Sequence, residues 1–298
     1  MFGRFVALAA LGVAAAAPLS FAPAKPALPA WVDVLLAADE TALILGPSGT
    51  ATPNQTYIDT VVNNYLSPEG YTGGDAGASA LTTPEQFSGA SYTQGEADVI
   101  EKLVELQQSG ALSSADPTYL FGYSQSATIL SAVDSNLHNP QWVESVLTSP
   151  NLGGAALSPA QAAADAQTLT QIDPSDLHLV LVGDPAADPG DGILPGFDNA
   201  AFTQSWLQDF GFPEMMGVNS NADLSPTDVF TLDGDNWAQA QSLLGIPDLS
   251  SWQHLAYLGL EASNFTPVAT DGLTDYFNAA DDSVNALTAL WDALLASL

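Results

Sequence analysis

The sequence predicts an α/β fold in which a central, mostly parallel sheet is flanked by helices. Short apolar runs that suit buried strands alternate with longer segments whose apolar residues recur at helical spacing. This alternation is typical of a parallel sheet that is covered on both faces. The chain has 298 residues, 47% of them hydrophobic, which is enough for one large domain. The predicted strands are residues 41–45, 119–121, 177–182 and 228–232, and the predicted helices are residues 55–66, 94–108 and 127–137.

The first 24 residues have the pattern of a secretory signal peptide. A basic start at Arg4 is followed by an alanine-rich apolar run and by small residues at a spacing suited to cleavage. The apolar run of about 18 residues is borderline for a membrane span, so a retained anchor is the alternative. We therefore expect a protein that is secreted or held in the cell envelope. N-terminal sequencing of protein from the culture medium would test this expectation.

The rest of the chain divides by composition into three parts. Residues 25–40 are rich in Pro and Ala and are expected to be a linker, and residues 41–277 form the predicted α/β domain. Within that domain, residues 188–226 are rich in Gly, Pro and aromatics and are expected to form either a cap or a structural excursion. Residues 278–298 are an amphipathic tail, which either packs on the body or docks to a partner or membrane. Its predicted apolar face consists of Val284, Leu287, Leu290, Trp291, Leu294 and Leu295.

The charge balance excludes several classes of partner. Against 34 acidic residues the chain has three basic ones, and its formal net charge is −31. A protein of this charge repels phosphate backbones, so nucleic-acid binding is excluded, and binding to anionic lipids by charge alone is disfavoured. The absence of cysteine excludes disulfides, thiolate zinc sites and a cysteine nucleophile. Neutral, apolar or cationic molecules remain as partners, and the sequence indicates no obligate protein partner.

The segment Gly122-Tyr123-Ser124-Gln125-Ser126 is a G-x-S-x-S variant of the G-x-S-x-G nucleophile elbow of α/β-hydrolases. A predicted buried strand precedes it and a predicted helix follows, which is the context that an elbow requires. Gly122 and Ser126 are small, as the sharp reversal from strand to helix demands. The pattern predicts Ser124 as a catalytic nucleophile, and the alternative is a serine that caps the helix.

A serine nucleophile needs a base, and the chain has three histidines. His138 follows the nucleophile helix closely, and His178 begins a predicted strand ahead of most candidate acids. In α/β-hydrolases the chain order is serine, acid, histidine, and His254 lies near the C-terminal end where the base belongs. His254 is therefore the predicted base.

Three aspartates compete for the acid that orients the histidine. Asp233 and Asp235 follow the predicted strand at 228–232, and Asp184 follows the predicted strand at 177–182. The residues alone leave the three open. The Asp-x-Asp pair is also similar to a calcium loop, but Trp237 and Leu244 stand where such a loop needs oxygen ligands, so we expect no metal site there.

These motifs, taken in order, resemble the PE-PPE C-terminal domain of mycobacterial proteins, a serine α/β-hydrolase family related to cutinases. The resemblance extends over about residues 42–277 and implies a cutinase-like α/β-hydrolase fold. It aligns Asp235 with the family acid, although Asn236 replaces a family glycine and Pro47 replaces another near the oxyanion hole. The matching segments are residues 42–49, 122–126, 181–185 with 190–194, 230–238 and 252–257.

The combined prediction is a carboxylic-ester hydrolase with the catalytic residues Ser124, Asp235 and His254. The oxyanion hole is expected to use the backbone N–H of Gln125 and a donor from the first-strand loop, for which Ser48 is the candidate. We expect an acyl-ester or lipid substrate and no metal or organic cofactor. An acyltransferase acting outside the cytoplasm on trehalose-type glycolipids and a non-catalytic cell-wall protein are the alternatives.

Overall fold

A computed structural model describes residues 41–86, 88–185, 187, 224–235, 238, 252–280 and 284–297. The predicted signal peptide, the linker and nearly all of the possible cap lie outside these residues. No helix among the described residues is long and apolar enough to cross a membrane.

Within the described residues, seven strands form one mostly parallel sheet in the order β2-β1-β3-β4-β5-β7-β6. All neighbouring strands run parallel except the edge strand β6, which is antiparallel to β7. The inner strands β3, β4 and β5 are buried almost throughout, as strands covered on both faces must be. The strands are β1 (Ala42–Ile44), β2 (Ala78–Ala80), β3 (Thr118–Tyr123), β4 (Leu177–Val182), β5 (Thr227–Leu232), β6 (Thr266–Asp271) and β7 (Thr274–Ala279).

The helices begin and end at residues that suit those positions. For example, the Ser88 side chain caps the longest helix by accepting the Ser91 N–H at 3.2 Å, and that helix ends at Gly110, whose φ is +73°. The helices are α1 (Gln55–Val61, continued by a π-helical turn, Val62–Leu66), α2 (Gly74–Gly77), α3 (Gly89–Ser109), α4 (Gln125–Ser135), α5 (Pro140–Leu147), α6 (Pro159–Leu169) and α7 (Ala286–Ser297).

The sheet separates two apolar clusters. Alternate residues of β3 point to opposite faces, so that Leu120 joins one cluster and Phe121 joins the other. Helices α3 to α6 cover the first face, while α1, α7 and the short 3₁₀ turns around Tyr257 cover the second. This arrangement confirms the predicted α/β architecture of a mostly parallel sheet flanked by helices.

Two features of the C-terminal region differ from the prediction. Strands β6 and β7 form a hairpin that the sequence analysis did not predict, and β7 runs to Ala279, two residues beyond the predicted domain end at 277. Helix α7 packs on the body, but its buried residues are Ala289, Ala293 and Ala296. The large residues predicted to form the packing face are instead mostly exposed, namely Leu287, Trp291, Leu294 and Leu295.

Candidate active site

Ser124 lies in the turn between β3 and α4, at the carboxyl end of the sheet. Its backbone has φ +60° and ψ −121°, which is strained for a residue other than glycine. Ser124 occupies the N-cap position of α4, yet its side chain makes no capping hydrogen bond. The helix-capping alternative for Ser124 is therefore wrong, and the hydroxyl is available for other contacts.

The two small residues of the motif have the roles that the sequence predicted for them. A Cβ atom added to Gly122 would lie 2.7 Å from the backbone N and Cα of Ala127, so only glycine fits there. Ser126 is fully buried, and its Oγ accepts the N–H of Tyr123 at 2.9 Å and donates to the carbonyl of Tyr123 at 3.1 Å. The serine at this position therefore ties the helix start back to the strand end, and the elbow keeps its sharp reversal.

The Ser124 hydroxyl is within hydrogen-bonding distance of a histidine ring. The Oγ atom lies 2.7 Å from Nε2 of His254, 130 residues further along the chain. His254 sits in the 3₁₀ turn Gln253–Leu255 and is 9% exposed. The structure thus brings together the predicted nucleophile and the predicted base at a distance that permits proton transfer.

The other ring nitrogen of His254 faces a carboxylate. Its Nδ1 lies 2.9 Å from Oδ2 and 3.0 Å from Oδ1 of Asp235, and Asp235 is fully buried. The Asp235 carboxylate also accepts the hydroxyl of Tyr257 at 2.8 Å and the N–H of Ala238 at 3.3 Å. These donors hold the carboxylate in place, so that it can fix the orientation of the imidazole and stabilise its charged form.

The two competing aspartates make different contacts. Oδ1 of Asp233 accepts the side-chain N–H of Asn278 at 2.9 Å, and Oδ1 of Asp184 accepts the hydroxyl of Thr128 at 2.9 Å. Neither carboxylate makes the contact with His254 that Asp235 makes. The geometry therefore selects Asp235 among the three candidates that the sequence left open.

The two other histidines lie elsewhere. Nε2 of His138 is 3.0 Å from the carbonyl oxygen of Ile172. His178 is the second residue of β4, stacks on the ring of Tyr119 and lies 2.7 Å from Oδ2 of Asp228. Tyr119 of β3 is the sheet neighbour of His178 of β4, and both lie near the amino ends of their strands. Ser124 follows the carboxyl end of β3, so His178 lies at the opposite end of the strands from Ser124.

The two predicted oxyanion-hole residues are in contact with each other. Ser48 donates its hydroxyl proton to Oε1 of Gln125 at 2.8 Å, across 77 residues of sequence. Gln125 is buried and begins α4, where a backbone N–H has no partner within the helix. Its side chain also donates to Oγ of Ser91 at 3.3 Å, which ties the start of α4 to α3. Because Gln125 accepts the Ser48 hydroxyl proton, the backbone N–H of Ser48 is the group that remains as the candidate oxyanion donor.

Two tyrosines support the site without having been predicted to do so. The hydroxyl of Tyr123 donates to the backbone carbonyl of His254. The hydroxyl of Tyr257 donates to the Asp235 carboxylate and accepts the N–H of Leu232 at 2.9 Å. Burial, and next the charge of Asp235, raise the pKa of both tyrosines, so both remain proton donors at neutral pH. Tyr257 ends the motif at 252–257, but a motif alone does not reveal that the hydroxyl points to the acid.

Together, the sheet and the elbow between β3 and α4 define an α/β-hydrolase fold, with a serine, a histidine and an aspartate in series at the carboxyl end of its strands. Among the described residues, no group of three or more His, Cys, Asp or Glu side chains could hold a metal ion.

Comparisons with known proteins add little to this geometry. No protein-family model matches the chain, and no curated protein sequence matches it. An acetylxylan esterase structure at 0.90 Å resolution is similar with a TM-score of 0.35 and 16% identity, covering 87% of this chain and 92% of that one. An iodinated complex of acetyl xylan esterase has a TM-score of 0.29 and 20% identity, covering 52% of this chain and 68% of that one. The relation to the PE-PPE domain stays a prediction.

Proposed function

We propose that the protein is a serine hydrolase of carboxylic esters. The observation that supports this most directly is the continuous series from Ser124 through His254 to Asp235, with contacts of 2.7 and 2.9 Å. Each of the three side chains has the partner that its chemical role requires, and the nucleophile sits on a strained turn that presents its hydroxyl.

The proposed reaction proceeds in two halves. His254 accepts the Ser124 proton at Nε2 while Oγ attacks the acyl carbonyl, and it then returns that proton to the departing alcohol. The resulting acyl-enzyme is hydrolysed when His254 removes a proton from water, so that the acid is released and the Ser124 hydroxyl is restored. Asp235 keeps Nδ1 protonated throughout, so that Nε2 is the nitrogen that exchanges the proton.

The negative charge that develops on the carbonyl oxygen needs donors that are already in position. The backbone N–H groups of Gln125 and Ser48 are proposed for this role, since the hydrogen bond between the two side chains holds the loop after β1 against the start of α4. Loss of one such donor typically lowers kcat by about 100- to 1000-fold.

The acidic surface and the N-terminal pattern suggest where the enzyme works and on what. A net charge of −31 disfavours anionic substrates, which leaves neutral acyl esters as the proposed substrate class. We propose that the enzyme acts outside the cytoplasm, on the basis of the signal-peptide pattern in residues 1–24.

The test is labelling with a fluorophosphonate probe combined with hydrolysis of p-nitrophenyl esters. Ser124→Ala should abolish labelling and lower kcat/KM by several orders of magnitude while the circular dichroism spectrum is retained. Ser145 is an exposed serine on α5, and Ser145→Ala serves as the matched control that keeps both activities. Activity of Ser124→Ala within about tenfold of the parent would contradict the assignment of the nucleophile.

A further inference from the structure

We propose that a hydrophobic pocket beside the triad, lined on one side by helix α7, binds the acyl chain of the ester. The inference rests on the proposed esterase function and names its substrate class: esters of medium-chain acids, in preference to acetate. The pocket has a volume of about 370 Å³, within the range of about 300 to 1,000 Å³ that is usual for small-molecule sites.

The pocket is bordered by chain neighbours of the nucleophile, of the base and of the proposed oxyanion donor Ser48. Tyr123 directly precedes the nucleophile, and Leu255 directly follows the base. Pro47 and Thr50 belong to the β1 loop that carries Ser48. An acyl group attached to the Ser124 hydroxyl would therefore have this pocket within reach of its chain.

The side chains that line this pocket are uncharged in a protein with 34 acidic residues. Four leucines are among its lining residues, namely Leu255, Leu258, Leu290 and Leu294. A neighbouring pocket on the other side of α7 has three carboxylates in its lining, Asp59, Glu261 and Asp292. An alkyl chain would be excluded from that second pocket and accepted by the first, because only the first buries apolar surface without desolvating a charge.

The way in which α7 packs leaves leucines available to a ligand. The helix contacts the body through its alanines, so Leu294 remains 50% exposed, and Leu255 on the opposite wall is 64% exposed. An alkyl chain between these two walls would remove the exposed apolar surface of both leucines from water. Binding of an alkyl chain would therefore explain why the large apolar residues of α7 are exposed beside the active site and do not form the packing face of the helix.

The volume sets an approximate chain length. At about 30 Å³ for each water molecule, 370 Å³ corresponds to about twelve waters, and a methylene group has a similar size. The volume therefore sets an upper limit of about twelve carbons, and an octanoyl chain lies within it. Each buried methylene strengthens binding by about fourfold, so discrimination against acetate should be large.

The first experiment measures kcat/KM for p-nitrophenyl acetate and p-nitrophenyl octanoate. We expect octanoate to be preferred at least about tenfold, and Leu294→Gln to lower the octanoate-to-acetate ratio by about fivefold or more. Leu255→Gln tests the opposite wall in the same way. Leu287→Gln is the matched control, because Leu287 is a more exposed leucine of α7 that does not line the pocket. Equal efficiency on the two esters, or an unchanged ratio in both pocket variants, would overturn the inference and leave the esterase function standing.

The second experiment separates the pocket from catalysis. Binding of methyl octanoate to the Ser124→Ala protein, measured by calorimetry, should be weakened by adding Leu294→Gln and unaffected by adding Leu287→Gln. If no ester is hydrolysed but this binding pattern is found, the proposed function fails and the pocket is supported. Equal loss in both double variants would indicate that the whole exposed face of α7 binds lipid, and the pocket assignment would then be wrong.

Discussion

Glu85 is a buried carboxyl group whose protonation state is expected to control the stability of the fold near the active site. It is 1% exposed, and its Oε1 accepts the hydroxyl of Thr83 at 2.6 Å, while Oε2 has no hydrogen-bond partner among the described residues. Burial raises the pKa of Glu85 from the ordinary value of 4.5 to about 7. Its backbone carbonyl accepts the N–H of Gly49 at 2.6 Å, so Glu85 is hydrogen-bonded to the β1 loop that carries Ser48.

The size of the effect follows from the change in pKa. The folded state holds this proton up to a pH of about 7, whereas the unfolded chain releases it near 4.5. Between these values the folded state binds more protons, so the free energy of unfolding falls as the pH rises. With about 1.4 kcal/mol for each pKa unit, Glu85 contributes about 3 kcal/mol at pH 4 that is lost by pH 8.

Urea denaturation of the parent and of Glu85→Gln at intervals from pH 4 to pH 8 measures this contribution. The amide resembles the neutral acid and does not titrate, so we expect the parent to lose about 3 kcal/mol relative to the variant across the range. Asp116→Asn removes one negative charge at an exposed position and is the control for general charge repulsion. If the difference between parent and Glu85→Gln does not change with pH, the argument from burial is refuted.

Two further predictions concern the catalytic turn and its acid. Asp235→Asn should lower kcat by on the order of 10⁴-fold, because an amide favours the wrong imidazole tautomer. The kcat of Asp233→Asn should stay within about tenfold of the parent value, since the new side chain still accepts from Asn278. If Asp233→Asn lowers kcat for p-nitrophenyl esters more than Asp235→Asn does, Asp233 is the acid. Gly122→Ala should lower the free energy of unfolding, measured by urea denaturation, by about 1 to 3 kcal/mol, because the new Cβ atom would meet the backbone of Ala127. Gly154 has open space around it, so Gly154→Ala should leave the free energy of unfolding unchanged. Equal stability of the two glycine variants would show that the elbow tolerates a larger residue.

The parts of the site that sequence predicted well are those with a local chemical requirement. The elbow around Ser124 needs small residues at fixed offsets, and His254 is the one histidine at a position where the chain order allows the base. The sequence alone does not decide between Asp235 and Asp233 as the acid, because both lie in one turn and differ only in where their side chains point. That direction depends on contacts such as the hydrogen bond from Tyr257 to the Asp235 carboxylate.

The hairpin and the terminal helix show why other parts were missed. Strand β6 is exposed along most of its length, so its sequence lacks the apolar alternation by which strands are recognised. In α7 the large apolar residues indicated a packing face, yet the small alanines allow the closer approach to the body. Periodicity predicts which residues share a face of a helix, but it does not decide which of two apolar faces packs.

The strained backbone of Ser124 has a practical consequence for trapping a substrate. Ser124 and Glu85 are the two residues other than glycine with positive φ among the described residues. A backbone in such a region costs about 1 to 3 kcal/mol for an L-residue and almost nothing for glycine. Replacement of Ser124 by glycine therefore removes the nucleophile and relaxes the turn in one step. Such a protein would be the preferred form in which to crystallise an intact ester, since it keeps the pocket and cannot complete the reaction.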